Sequence, residues 1–185
     1  NIGISHNRYP THGGFSHGEV QPFWTSVPYG IALAHNGNLT NYKELAQEIT
    51  QKETRYLNTT SDTEVLLHLF AEQLHKDKPP ESSKEFFDLL CKAVTVLFNK
   101  VTGAYSVTAI IIDKGLVVFR DPNGIRPLVK GERSNGNGGK DYIFASENSM
   151  FYSLGYEPKG TVLPGELIYV NNKGQVFNKR LVKKE

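Results

Sequence analysis

Ala104-Tyr105-Ser106-Val107-Thr108-Ala109-Ile110-Ile111-Ile112, then Asp113-Lys114-Gly115, then Leu116-Val117-Val118-Phe119: two runs rich in β-branched and aromatic residues flank a short turn that carries glycine. Runs joined in this way predict an antiparallel hairpin, with 104–112 paired to 116–119. Upstream of it the period changes. Leu39, Tyr42, Leu45 and Ile49 recur at helical spacing and predict a helix over 40–51. Ser61 and Glu64, just ahead of Val65-Leu66-Leu67, have capping-box spacing, in which each side chain satisfies a free backbone donor; a second helix is expected from 61 to about 75. Asp77-Lys78-Pro79-Pro80 ends it, and Ser82 or Ser83 caps a third whose apolar face carries Phe86, Phe87, Leu90, Val94 and Leu97. Downstream, the pattern predicts strands at 127–131 and 142–145 around an exposed loop at 132–141. A short helix at 147–154 and a hairpin of 166–170 with 175–181 follow. Helices gather in the first half and hairpins in the second, which predicts an α+β layered domain with antiparallel sheets and argues against a doubly wound parallel one.

The N-terminal stretch reads less regularly. Ile2-Gly3-Ile4-Ser5-His6-Asn7-Arg8 alternates like a half-buried strand with no lead-in, so the chain is expected to start mid-domain. Residues 9–29 are dense in Pro, Gly, Ser and His and predict a long loop. The apolar run 30–34 fits a buried strand that stops at a polar turn, His35-Asn36-Gly37-Asn38.

With 185 residues, 38% of them hydrophobic, the chain has the material for one domain core. Lys and Arg number 21 against 19 Asp and Glu, and the net charge of +2 gives no electrostatic reason to expect a nucleic acid or membrane surface as partner. A small polar substrate fits better. The single cysteine, Cys91, cannot form an intramolecular disulfide, and no apolar run is long enough to span a bilayer; a reducing, cytoplasmic compartment is expected.

Three polar clusters fall where predicted elements begin or end: 8–14, 35–38 and 61–64. Arg8 and Asp62 supply the opposite charges that hold a zwitterionic amino acid, guanidinium to carboxylate and carboxylate to ammonium. Either residue also fits a surface ion pair, and Asp62 a charge favoured at a helix N-terminus. Asn36-Gly37 offers a side-chain amide donor beside an unshielded backbone N–H, suited to an oxyanion hole; it equally fits a plain turn.

Arg8-Tyr9-Pro10-Thr11, Gln21-Pro22-Phe23, Leu33-Ala34-His35-Asn36-Gly37-Asn38-Leu39, Thr60-Ser61-Asp62-Thr63-Glu64, Gly103-Ala104-Tyr105-Ser106 and Arg120-Asp121-Pro122-Asn123-Gly124-Ile125-Arg126-Pro127-Leu128 occur in this order. Together they resemble the glutaminase domain of the amidophosphoribosyltransferase family, a class II, N-terminal-nucleophile amidotransferase, over nearly the whole chain. The resemblance implies a four-layer αββα sandwich in which a cysteine, with its own α-amino group as base, attacks the glutamine side-chain amide. It implies Arg8, Thr11 and Asp62 as glutamine-binding residues and Asn36 with Gly37 as the oxyanion hole. It also implies ammonia transfer to a phosphoribosyltransferase domain of the same polypeptide, in a homo-oligomeric full-length protein. No cofactor is expected in this domain, and magnesium only at the phosphoribosyltransferase site. Asn1 cannot be the nucleophile, and Cys91 falls on the apolar face of a helix, so residues 1–185 are expected to be a partial glutaminase domain, inactive alone, whose first strands and catalytic cysteine lie upstream. The aminosugar-synthesising relatives are a lesser match, since their Arg-Trp-Ala-Thr is replaced by Arg8-Tyr9-Pro10-Thr11. His12 resembles a Thr-His-Gly run in those relatives. A non-catalytic glutamine-binding module is the reading from another class.

Overall fold

A computed structural model describes residues 1–7, 19–52, 56–75 and 78–182. Nine-residue β3 (Gly103–Ile111) lies at the centre of a six-stranded antiparallel sheet ordered β1-β2-β3-β4-β8-β9. Its partners are β2 (Ile31–Leu39), which joins it to the edge strand β1 (Phe23–Thr25), and β4 (Gly115–Arg120), which leads to β8 (Glu166–Asn171) and β9 (Val176–Arg180). A second antiparallel sheet, β6-β5-β7, is built from β5 (Val129–Ser134), β6 (Lys140–Ala145) and β7 (Glu157–Thr161).

Strand alternation divides the core in two. Val117 and Phe119 of β4 and Leu167 and Tyr169 of β8 pack against the helices α1 (Tyr42–Lys52), α2 (Asp62–His75) and α3 (Ser83–Lys100). The intervening residues, Val118 of β4 with Ile168 and Val170 of β8, meet Leu128 and Val162 under the small sheet. Phe70, Phe86, Leu90 and Leu97 are each at most 1% exposed, so each contributes about 1.5–3 kcal/mol of apolar burial. On the outer face of the small sheet one 3-10 turn, Tyr152–Leu154, replaces the predicted helix at 147–154; the neighbouring Phe151 ring closes on Gly131, where a Cβ would come within 2.7 Å of it. The layers therefore run helix, sheet, sheet, with a single helical turn outside, in the α+β order expected.

Four further expectations about strands and loops need correction. Residues 2–7 form no strand. Strand β2 does not stop before His35: it runs on through Asn36 and Gly37 to Leu39, because β3 extends far enough to pair it in unbroken register from Ile31↔Ile111 to Leu39↔Gly103. Strands β1 and β7 lie where none was predicted. Pro158 and Gly160 make β7 a poor strand by composition, and it survives at a sheet edge, where proline is tolerated. The predicted loop 132–141 shrinks to a tip at 135–139, tied by Asn135 Oδ1 accepting from the Asn137 and Gly139 N–H groups.

Candidate functional site

A cleft of about 1660 Å³ opens where the C-terminal half of β2 passes between the start of α2 and the end of β6. Strand geometry sends neighbouring side chains of β2 to opposite sides. His35, in step with buried Ile31 and Leu33, turns toward α2, and its Nδ1 lies 2.9 Å from Thr63 Oγ1. Asn36 turns toward the small sheet, where Nδ2 donates to Ser146 Oγ at 3.2 Å. Gly37 follows with no side chain: a Cβ there would run into the Ala104 carbonyl oxygen and come within 2.7 Å of Tyr105 Cα, so the β2–β3 pairing itself requires glycine.

Asp62 opens α2, an end at which negative charge is favoured. Its Oδ2 accepts from the Leu39 N–H at 3.0 Å and stands 3.7 Å from His35 Nε2. The start of α2 thus reaches across to the last residue of β2, and Asn36, Gly37 and Asp62 line one cleft. Arg8, Thr11 and His12 lie outside the described residues.

Glu64 departs from its expected capping role. Ser61 Oγ accepts from the Thr63 N–H at 3.3 Å, as a cap should. The Glu64 carboxylate instead accepts from the backbone N–H groups of Asn58 and Thr59, both at 2.8 Å, and from the Asn58 amide and Thr59 hydroxyl. Burial alone would raise its pKa, but these bonds outweigh burial and hold it below the ordinary carboxylate value. The loop that delivers Asp62 is therefore clamped from beneath.

Sequence reading singled out neither Gln21 nor Ser146 as site neighbours. Gln21 Oε1 accepts from the His35 N–H at 2.7 Å. Ser146 is 110 positions from Asn36, and no local pattern announces such a contact. His35 carried a usable signal, a polar ring on the buried face of a strand, which needs partners once removed from water. It is 3% exposed, and burial pushes its pKa below the ordinary value; Asp62 opposes this, while the charges of His6 and Arg126 add to it. Cys91 lies in the helix-side core, where burial raises its thiol pKa. Among the described residues no group of three His, Cys, Asp or Glu side chains could hold a metal ion, and no helix is long and apolar enough to cross a membrane.

Residues 6–153 match the family described as a glutamine amidotransferase domain. The chain is 44% identical over 182 residues to amidophosphoribosyltransferase of Escherichia coli (strain K12) and 39% identical over 185 residues to that of Saccharomyces cerevisiae. These alignments take in 97% and 98% of this chain but 35% and 36% of the relatives, so it spans about a third of their length. Among solved structures, one described as the allosteric regulatory enzyme of purine biosynthesis superposes with a TM-score of 0.75 at 31% identity, covering 97% of this chain and 35% of the other. The glutamine phosphoribosylpyrophosphate amidotransferase of B. subtilis gives 0.73 at 30% identity, covering 97% and 34%. The chain belongs to the glutamine amidotransferase domain family.

Proposed function

We propose that these residues are the glutamine-binding part of the glutaminase domain of an amidophosphoribosyltransferase. The observation that carries the reading is the convergence of Asn36, Gly37 and Asp62 at one cleft, from two different layers of the fold. In this reading Asp62, with Arg8 and Thr11 from outside the described residues, holds the ammonium and carboxylate of glutamine. A cysteine thiolate supplied from outside these 185 residues attacks the side-chain amide carbon, the C–N bond breaks, ammonia leaves, and water resolves the thioester to glutamate. As the tetrahedral centre forms, its oxygen gains charge. Asn36 has two amide hydrogens, one engaged by Ser146 and the other, without a partner among the described residues, placed to meet that oxygen beside the Gly37 N–H.

The ammonia then displaces pyrophosphate from phosphoribosyl pyrophosphate at a phosphoribosyltransferase domain of the same polypeptide, where magnesium acts, in a cytoplasmic homo-oligomer. The reading is supported by the length of the relatives and by identity over nearly the whole chain. It is tested by incubating the full-length protein with glutamine and phosphoribosyl pyrophosphate. Glutamate and pyrophosphate released in equal amounts are expected; pyrophosphate release with neither glutamine nor ammonia as nitrogen donor overturns it.

A further inference from the structure

His35 is unlike the other residues on its face of β2. Ile31 and Leu33 fill the helix-side core, whereas two positions further on the same face presents an imidazole to the start of α2. One ring nitrogen is secured, Nδ1 to Thr63 Oγ1 at 2.9 Å. The other, Nε2, is buried and has no hydrogen-bond partner at bonding distance among the described residues; it faces Asp62 Oδ2 at 3.7 Å. When the Thr63 hydroxyl donates to Nδ1, the ring proton lies on Nε2 and the ring directs a donor toward the carboxylate. Among the described residues, Asp62 is meanwhile held only through Oδ2, by the Leu39 N–H, and no side chain reaches its other oxygen. A carboxylate held from one side and open on the other is free to swing unless a second group limits it.

We propose that His35 is a positioning residue: anchored by Thr63, it steers the Asp62 carboxylate so that its free oxygen meets an ammonium group in the cleft. The inference rests on Asp62 serving the glutamine clamp, as proposed above. A ring that merely filled space would need no hydroxyl partner and would tolerate an apolar replacement of like volume. A steering ring needs its donor at the Nε2 position. Asparagine and glutamine separate these requirements, because the Asn amide reaches the Nδ1 position alone and the Gln amide reaches that of Nε2.

The experiment measures glutamine KM and kcat, with the thermal midpoint, in the full-length protein carrying Asp62→Asn, His35→Asn, His35→Gln or the double change Asp62→Asn/His35→Asn. His35→Asn is expected to raise KM about tenfold with kcat within about twofold, and His35→Gln to return KM to within about threefold of the parent. The double variant is expected to be no worse than Asp62→Asn alone, because the two residues act as one unit. Equal losses in His35→Asn and His35→Gln, or additive losses in the double variant, overturn the proposal. If His35→Asn does not fold, Thr63→Val and Thr63→Ser decide: KM raised only when the hydroxyl is removed supports steering, and KM unchanged in both overturns it. An unchanged KM in Asp62→Asn sinks the clamp reading itself. A raised KM there beside a parental KM in His35→Asn sinks this inference alone.

Discussion

Asp62 and Asp121 are both aspartates at the end of a regular element, both sit in motif-like polar runs, and the fold uses them in opposite ways. Asp121 is fully buried, and its two oxygens accept from four backbone N–H groups, those of Tyr105, Asn123, Gly124 and Ile125, at 2.8–3.3 Å. Arg120 beside it donates to the carbonyls of Arg126, Val162 and Gly124. The charged groups of both residues are spent on the chain itself. Asp62 is half-buried, accepts one backbone bond, and borders the cleft. A satisfied buried carboxylate is a structural joint, and one left partly open at a cleft is available to a ligand.

The comparison breaks if Asp121 can be removed cheaply. Asp121→Ala takes a charged acceptor from four backbone N–H groups, that of Tyr105 in a buried bond, and is expected to lower stability by about 4 kcal/mol, read as a thermal midpoint roughly 8–16 °C lower. Next in size, Asn36→Ala is expected to lower the glutamine-dependent kcat of the full-length protein about a hundredfold, or about 2.7 kcal/mol, with the midpoint almost unmoved. An unchanged rate returns Asn36 to a strand residue with no chemical part. Glu64→Gln sharpens the structural side, with an expected loss of about 2 kcal/mol at pH 7. Because the folded pKa of Glu64 is depressed, its contribution is present above the unfolded value and lost as pH falls through the folded one. The gap between parent and Glu64→Gln in denaturant unfolding should therefore close below about pH 4. Ser146→Ala removes one exposed contact to Asn36 and should cost less than about 1 kcal/mol in glutamine-dependent rate.

The helices and the central hairpin were legible because periodicity records which face is buried, and Leu45, Phe86 and Leu90 are where their spacing puts them. A cap at Ser82 or Ser83 was legible, and it is the Ser82 Oγ that accepts from the Glu85 N–H at 3.2 Å. The polar end of β2 was not, since Asn-Gly is a common turn dipeptide and the decision to continue the strand belongs to β3, some 70 residues away. Strand β7 depends in the same way on its neighbour β5. At the candidate site, residue types were readable and their partners were not. No sequence pattern says that Glu64 reaches back to Asn58 and Thr59, that Asn36 leans on Ser146, or that Asp121 is saturated while Asp62 is not.

The difference between the two aspartates is tested most directly by the glutamine KM of Asp62→Asn in the full-length protein, with ammonia-dependent product formation and thermal midpoint measured alongside. An open, substrate-facing carboxylate predicts a KM raised at least about tenfold, while ammonia-dependent activity and midpoint stay near the parental values. A parental KM, or equal loss of glutamine- and ammonia-dependent activity with a lowered midpoint, would place Asp62 with Asp121 as a structural joint and contradict the account.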